Sequence, residues 1–272
     1  MGSEDPEDNA LAIGPNGNLY VTDLSQRVTV ITPEGRVLRR WGGPGKGPGE
    51  FNFVSDNGDL HTVVGKLAVD SHGLVYVSDS GNARIQVFTP EGRFVRQFGS
   101  FGEGGGQFHF PAGVAVDDAD NVYVLDEPAV VDKFSPGGKL VWQVGGATSP
   151  DPDLRGHLHL TSIDRHGRLV MVDDDLGRVV YLDENGHKVD AFDVRKALCD
   201  VSVDALGTTF LTDCGLGYQY GEVFDRAHTL VGQWEGGYGA LAIAPVFGPN
   251  GEVFALGWDG SLLNLKITLP ES

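Results

Sequence analysis

Cysteine is almost missing from this chain of 272 residues: Cys199 and Cys214 are the only two, so one disulfide is the most it can form. Basic residues are also scarce. Twenty Lys and Arg stand against 38 Asp and Glu, giving a formal net charge of -18. Nucleic-acid binding draws most of its affinity from Lys and Arg on phosphates, so that class is disfavoured. An anionic membrane surface is disfavoured for the same reason. Cationic ligands, metal ions and basic partner proteins stay open. No run of about twenty apolar residues exists, so no helical span and no direct membrane contact is expected. The opening "MGSEDPEDNA" is acidic and polar and is no signal peptide. No G-x-S-x-G elbow, P-loop, H-E-x-x-H or dinucleotide fingerprint occurs. No segment has a helical period beyond one turn in "DVRKALCD".

What the chain has in abundance is glycine, forty residues of it, most at recurring turn positions. Those turns belong to a repeat. "GNLYVTDLSQRVTVITPEGRVLRRWGG" and "GLVYVSDSGNARIQVFTPEGRFVRQFGS" share one frame. Weaker copies follow at "NVYVLDEPAVVDKFSPGGKLVWQVGG", "RLVMVDDDLGRVVYLDENGHKVDAF", "TFLTDCGLGYQYGEVFDRAHTLVGQW" and "EVFALGWDGSLLNLKITL". The anchors Asp23, Asp79, Asp126, Asp173, Asp213 and Gly257 lie roughly 40 to 56 residues apart, the period of a propeller blade or similar array.

Each repeat parses into strands a to d. Strand a is expected at Leu11, Leu67, Val114, Thr161, Val201 and Leu241, and alternation in "RIQVF" and "RFVRQF" predicts strands whose two faces differ. The sixth repeat is expected to stop after its third strand, at Thr268 or Leu269. Residues 1–9 are expected to lie outside the fold as a disordered or expression-derived segment, and 10–272 to form one domain. The abrupt start reads as that expected of a domain excised from a longer chain. The stretch Gly42 to Gly65 reads as an insertion between the first two repeats.

The stretch "NARIQVFTPEGRFVRQFGSFGEGGGQFHFPAGVAVDDADNVYVLD" resembles NHL-repeat proteins, closely in the first three repeats and in rhythm thereafter. That resemblance implies an all-β fold, a six-bladed β-propeller of four-stranded antiparallel blades with a three-stranded last blade. The family includes protein-interaction and RNA-binding domains, sensor domains of bacterial membrane kinases, and a zinc lyase that cleaves peptidyl-hydroxyglycine. The lyase's ligand positions correspond here to Asn9, Gly65, Ala112, His159, Cys199 and Gly239, of which only His159 keeps a histidine. The metal set of the gluconolactonases, which share the wider architecture, is not recognisable.

In such a ring the d-to-a and b-to-c connections share one face. His61, His109, His157 and His159 fall in d-to-a connections, whereas His72, His166, His187 and His228 fall in turns of the opposite face and read as solvated. The H-x-H spacing puts His157 and His159 on one side of an extended segment. Neutral imidazoles converging on a channel bind zinc, copper or a similar divalent transition metal, with His109 and His159 as the expected pair. One could instead be a general base. Arg155, Asp200, Tyr218, Tyr220, Tyr238, Trp258 and Asp259 are the other polar or aromatic candidates near that face.

Two functions follow as expectations. One is a scaffold that binds a small molecule or protein segment through the funnel face, using His61, His157, Arg155, Tyr218, Tyr220 and Trp258. The other is a lyase or hydrolase with His159, His109 and Tyr238 as catalytic groups. A monomer is expected.

If the fifth repeat pairs Asp204 with Thr209, Cys199 comes opposite Cys214 and a disulfide can close. That bridge would indicate an extracytoplasmic protein, and its absence a cytoplasmic one. The aspartates that end strands a and b read as turn formers, although "DDADN" and "DDDLG" are places that could attract calcium.

Overall fold

The computed structural model describes residues 10–23, 25–53, 65–127, 129–196, 198–213, 219–236, 245–248, 252–256 and 261–265, with backbone alone at 160, 161, 199, 213, 219 and 234–236. Blade 1 is β1 (Leu11–Ile13), β2 (Leu19–Asp23), β3 (Arg27–Ile31) and β4 (Val37–Gly42). Blade 2 is β5 (Leu67–Val69), β6 (Val75–Asp79), β7 (Arg84–Phe88) and β8 (Phe94–Phe98). Blade 3 is β9 (Pro111–Val116), β10 (Val122–Asp126), β11 (Val130–Phe134) and β12 (Leu140–Gly145). Blade 4 is β13 (Leu158–Ile163), β14 (Leu169–Asp173), β15 (Arg178–Leu182) and β16 (Lys188–Asp193). Blade 5 is β17 (Leu198–Val203), β18 (Thr209–Asp213), β19 (Gln219–Phe224) and β20 (Leu230–Gly236). Blade 6 has three strands, β21 (Val246–Phe247), β22 (Val253–Leu256) and β23 (Leu262–Leu265). All pair antiparallel in chain order, so the protein is a six-bladed β-propeller.

The first strand of blade 6 is Val246–Phe247, paired with Phe254 and Val253. The expected strand at Leu241 lies outside the described residues.

Local chemistry repeats the blades. Strand a ends on an aspartate that folds the next turn through its own carboxylate. Asp70 Oδ1 accepts the N–H groups of His72 and Leu74 at 3.0 and 2.8 Å. Asp117, Asp164 and Asp204 do the same for their turns. These are the turn formers expected from Asp. In blades 2 and 3 the aspartate ending strand b instead holds the connection arriving from the previous blade, whereas Asp23 and Asp173 accept from the turn that follows them. Asp79 accepts the N–H of Asn52 at 2.6 Å, and Asp126 accepts those of His109 and Phe110 at 2.9 and 2.7 Å.

Blades stack through apolar faces, and this changes the reading of alternation. Strand β7, "RIQVF", is buried along its whole length, Arg84 and Gln86 included. Neighbouring blades cover both faces of the middle strands, so neither face meets water. Strand β8 at the rim stays largely exposed. Blade 6 closes against blade 1 through Leu11, Leu19, Phe254 and Leu256.

Half of the segment first read as an insertion is part of the repeat. Pro44 bridges Phe51 after blade 1 just as Phe101 bridges Phe108 after blade 2. Phe51 and Phe108 are fully buried plugs. The extra stretch, 54–64, lies outside the described residues, and His61 with it.

Candidate functional site at the channel mouth

The six innermost strands surround a central cavity of about 300 Å³, walled mainly by small apolar residues. Lys66 and Asp200 are the charged residues among those lining it. Backbone register explains their place. The N–H groups of Thr22 and Ser78 donate to the carbonyls of Ala10 and Lys66, while His159 pairs with Val172 and Asp200 with Thr212. Each partner immediately precedes the aspartate that ends strand b. Ala10, Lys66, His159 and Asp200 therefore occupy one tier at the channel mouth. In blades 1, 2 and 5 this tier sits one residue beyond Asn9, Gly65 and Cys199; in blade 4 it keeps His159.

At this mouth three side chains of blade 4 meet. His157 Nδ1 and His159 Nε2 each lie 3.2 Å from Asp174 Oδ1, and 3.1 Å from each other. The rings stand edge to face, 4.4 Å between centroids. This is the one cluster of three or more His, Cys, Asp or Glu ligand atoms among the described residues. Burial pushes the His159 imidazole below its usual range. Asp174 opposes that shift, while His157 and Lys66 reinforce it. The group is thereby favoured as a neutral ring near neutral pH.

His109 is not part of this cluster. It sits on blade 3, with Nδ1 3.8 Å from Asp126 Oδ2 and its ring edge-on to Phe101 at 5.4 Å. The histidine brought beside His159 is thus His157, with Asp174, and not His109. Arg155 is tied into its own loop through the Ser149 carbonyl. Tyr220 donates to Glu222 at 3.0 Å and lies under Arg195, a structural use between strands. Tyr218, Tyr238, Trp258 and Asp259 lie outside the described residues.

Cys214 and the Cys199 side chain also lie outside the description, but the hairpin register is described. Val203, not Asp204, pairs with Thr209, and a bulge at Cys199 shifts Leu198 opposite Asp213. The register from which the Cys199–Cys214 pairing was expected is therefore off by one residue along Asp200–Val203, because the turn is one residue longer on its strand-a side, and by two at Leu198, beyond the bulge. On the opposite face His72 and His187 are solvated, as expected. His228 is not: it stacks on Phe192, 4.1 Å between centroids.

Asp174 and Lys66 are the site residues that pattern reading of the sequence passes over. The signal for Asp174 is the hairpin register. Leu158 faces Asp173, so one step outward His157 faces Asp174.

Comparison with known proteins agrees with this architecture. The family described as "6-bladed beta-propeller" matches residues 62–133. The chain is 31% identical over 153 residues to "Protein brain tumor" of Drosophila melanogaster, covering 55% of this chain and 14% of that protein. It is 37% identical over 95 residues to "RING finger protein nhl-1" of Caenorhabditis elegans, covering 33% of this chain and 10% of that protein. The chain therefore spans only a small part of the curated relatives it matches. Among solved structures, a streptogramin B lyase superposes with a TM-score of 0.61 at 11% identity, covering 98% of this chain and 85% of that one. A protein of unknown function from Bacteroides caccae gives 0.59 at 15% identity, covering 84% and 81%. Both structural likenesses are likenesses of fold. The chain is a six-bladed β-propeller that is similar, over part of its length, to NHL-repeat proteins.

Proposed function

We propose that this propeller binds a protein segment across the face that carries the channel mouth. One observation carries the reading. Phe101, in the connection entering blade 3, is 73% exposed, the most open large apolar side chain among the described residues. Leu176, in the b-to-c turn of blade 4, is 52% exposed, and topology puts it on the same face. Exposed apolar groups around a polar centre are the layout of a recognition surface, with the aromatic ring as anchor. The acidic balance of the chain favours a segment bearing Lys or Arg beside its apolar residues.

The test is a displayed random-peptide library selected on the immobilised domain. Selected peptides are expected to lose at least roughly tenfold in affinity on a Phe101→Ser, Leu176→Ser variant. Leu206→Ser, in an exposed turn of the opposite face, should change nothing. Equal binding to all three proteins would overturn the reading.

A second reading, a lyase or hydrolase, is favoured by the neutral His159 beside Asp174. Mass spectra of the bound peptides separate the two. Intact peptides support a binding module. Peptides cleaved by the wild type but not by His159→Ala support the enzyme.

A further inference from the structure

We propose that His157, His159 and Asp174 form a binding site for one divalent transition ion, zinc above all, with a coordination position left to solvent. The site needs no partner protein and so goes beyond the peptide-binding reading.

The three ligand atoms form a triangle. The edges are 3.1, 3.2 and 3.2 Å. Nitrogen and oxygen ligands sit about 2.0–2.1 Å from zinc, so two of them at a tetrahedral angle lie about 3.3 Å apart. The three atoms thus already stand close to the spacing of one face of a zinc tetrahedron.

Hydrogen bonds alone cannot satisfy the same triangle. Each ring nitrogen is either a donor or an acceptor, and an ionised carboxylate oxygen only accepts. If both nitrogens carry protons, two donors face each other at 3.1 Å. If one does, the other nitrogen's lone pair faces the Asp174 oxygen at 3.2 Å. One edge is mismatched in every assignment. A cation at the common focus uses all three lone pairs at once. Two imidazoles and a carboxylate are borderline ligands, suited to zinc and its neighbours rather than to calcium or magnesium.

The backbone holds the triangle in place. His159 is pinned on β13 by its pairing with Val172, and the Asp174 turn is closed by the N–H of Leu176 on Asp173 Oδ1 at 2.8 Å. Three protein ligands leave a fourth position open, the arrangement of a site that binds or activates a further group.

The experiment is zinc titration and equilibrium dialysis on protein carrying no histidine tag, with cobalt as a spectroscopic substitute. One equivalent of zinc is expected, and the cobalt form should show the intense visible d–d band of four-coordination. His157 is half-exposed, so His157→Ala should fold normally yet weaken zinc by roughly a hundredfold or more. His159→Ala and Asp174→Ala should abolish stoichiometric binding, and His109→Ala should leave it intact. No zinc bound by the wild type, or zinc retained at full affinity by His157→Ala, would overturn the site. Either result leaves the effect of Phe101→Ser on peptide binding unchanged, so the two readings fail separately.

Discussion

Asp132 stands in blade 3 where Gln86 stands in blade 2: each faces the third residue of its strand b, Val124 and Val77. Gln86 satisfies both ends of its amide, accepting from Gly49 N at 2.9 Å and donating to Glu50 O and Asp79 Oδ2 at 2.7 and 2.9 Å. Asp132 can only accept, from Gly106 N at 3.1 Å with the Gln143 amide also favouring its charged form, and its Oδ1 is buried with no partner at hydrogen-bond distance. Val130 replaces Arg84 in this blade, so the arginine beside Asp79 has no counterpart beside Asp126, which instead has His109 Nδ1 at 3.8 Å.

Burial accordingly pushes the Asp132 carboxyl up to about 6. A group raised in the folded state stabilises fully below its unfolded value near 3.9, and that stability fades as the pH rises through about 6. The loss at pH 8 is on the order of 3 kcal/mol. Asp132→Asn keeps the volume and removes the charge. It should raise the melting temperature at pH 8, leave it nearly unchanged at pH 4, and flatten the profile between. An unaltered pH profile would show that water already solvates the carboxylate.

Arg84 reports the opposite case. Its Nε donates to the buried Asp79 Oδ2 at 2.7 Å, and its Nη2 donates to the carbonyls of Gly47 and Glu50. Removing one partner of a buried pair strands the other, a cost of about 3–5 kcal/mol. Urea unfolding of Arg84→Ala should show that loss, and Asp79→Asn in the same chain should return part of it. A loss below about 1 kcal/mol in the single variant would place the pair in effective contact with solvent.

The fold was legible because every blade must make the same turns at the same spacing. Asp70, Asp117, Asp164 and Asp204 mark those turns in the sequence and close them in the structure. The site was only half legible. His157 and His159 stand out as H-x-H, but Asp174 joins them across a hairpin, and one among three successive aspartates carries no mark of its own. Lys66 reaches the mouth because blade 2 starts strand a one residue beyond the position expected for a ligand. Burial of Arg84 and Gln86 was hidden for another reason: a propeller covers both faces of its middle strands, so a polar residue there looks solvent-facing in the sequence.

Gly35 and Gly99 separate backbone strain from steric exclusion. Both have positive φ, +83° and +92°. A Cβ on Gly35 meets nothing within 4 Å, whereas one on Gly99 clashes with the ring edge of the fully buried Phe108, at Cδ2 and Cε2. Gly35→Ala should cost about 1 kcal/mol, the left-handed penalty alone. Gly99→Ala should cost about 3 kcal/mol or more, since overpacking adds to it. Equal losses in chemical denaturation would mean that Phe108 yields, contrary to its packing against Val114 and Phe134.

Closure between blades 6 and 1 rests on side-chain packing. Phe254 is fully buried among Leu11, Leu19 and Leu256, with Val246 and Ile13 against them. Phe254→Ala should cost about 3–5 kcal/mol, as a buried aromatic does. Phe108→Ala, between blades 2 and 3, should cost a similar amount. The two should differ in where the molecule opens. In a ring each blade touches only its neighbours, so a cavity loosens the seam it occupies. Limited proteolysis read by mass spectrometry should cut Phe254→Ala first in blades 6 and 1, and Phe108→Ala first in blades 2 and 3. Identical cleavage maps would mean that the ring unfolds as one unit and that the blade 6 to blade 1 seam is no weaker than the rest.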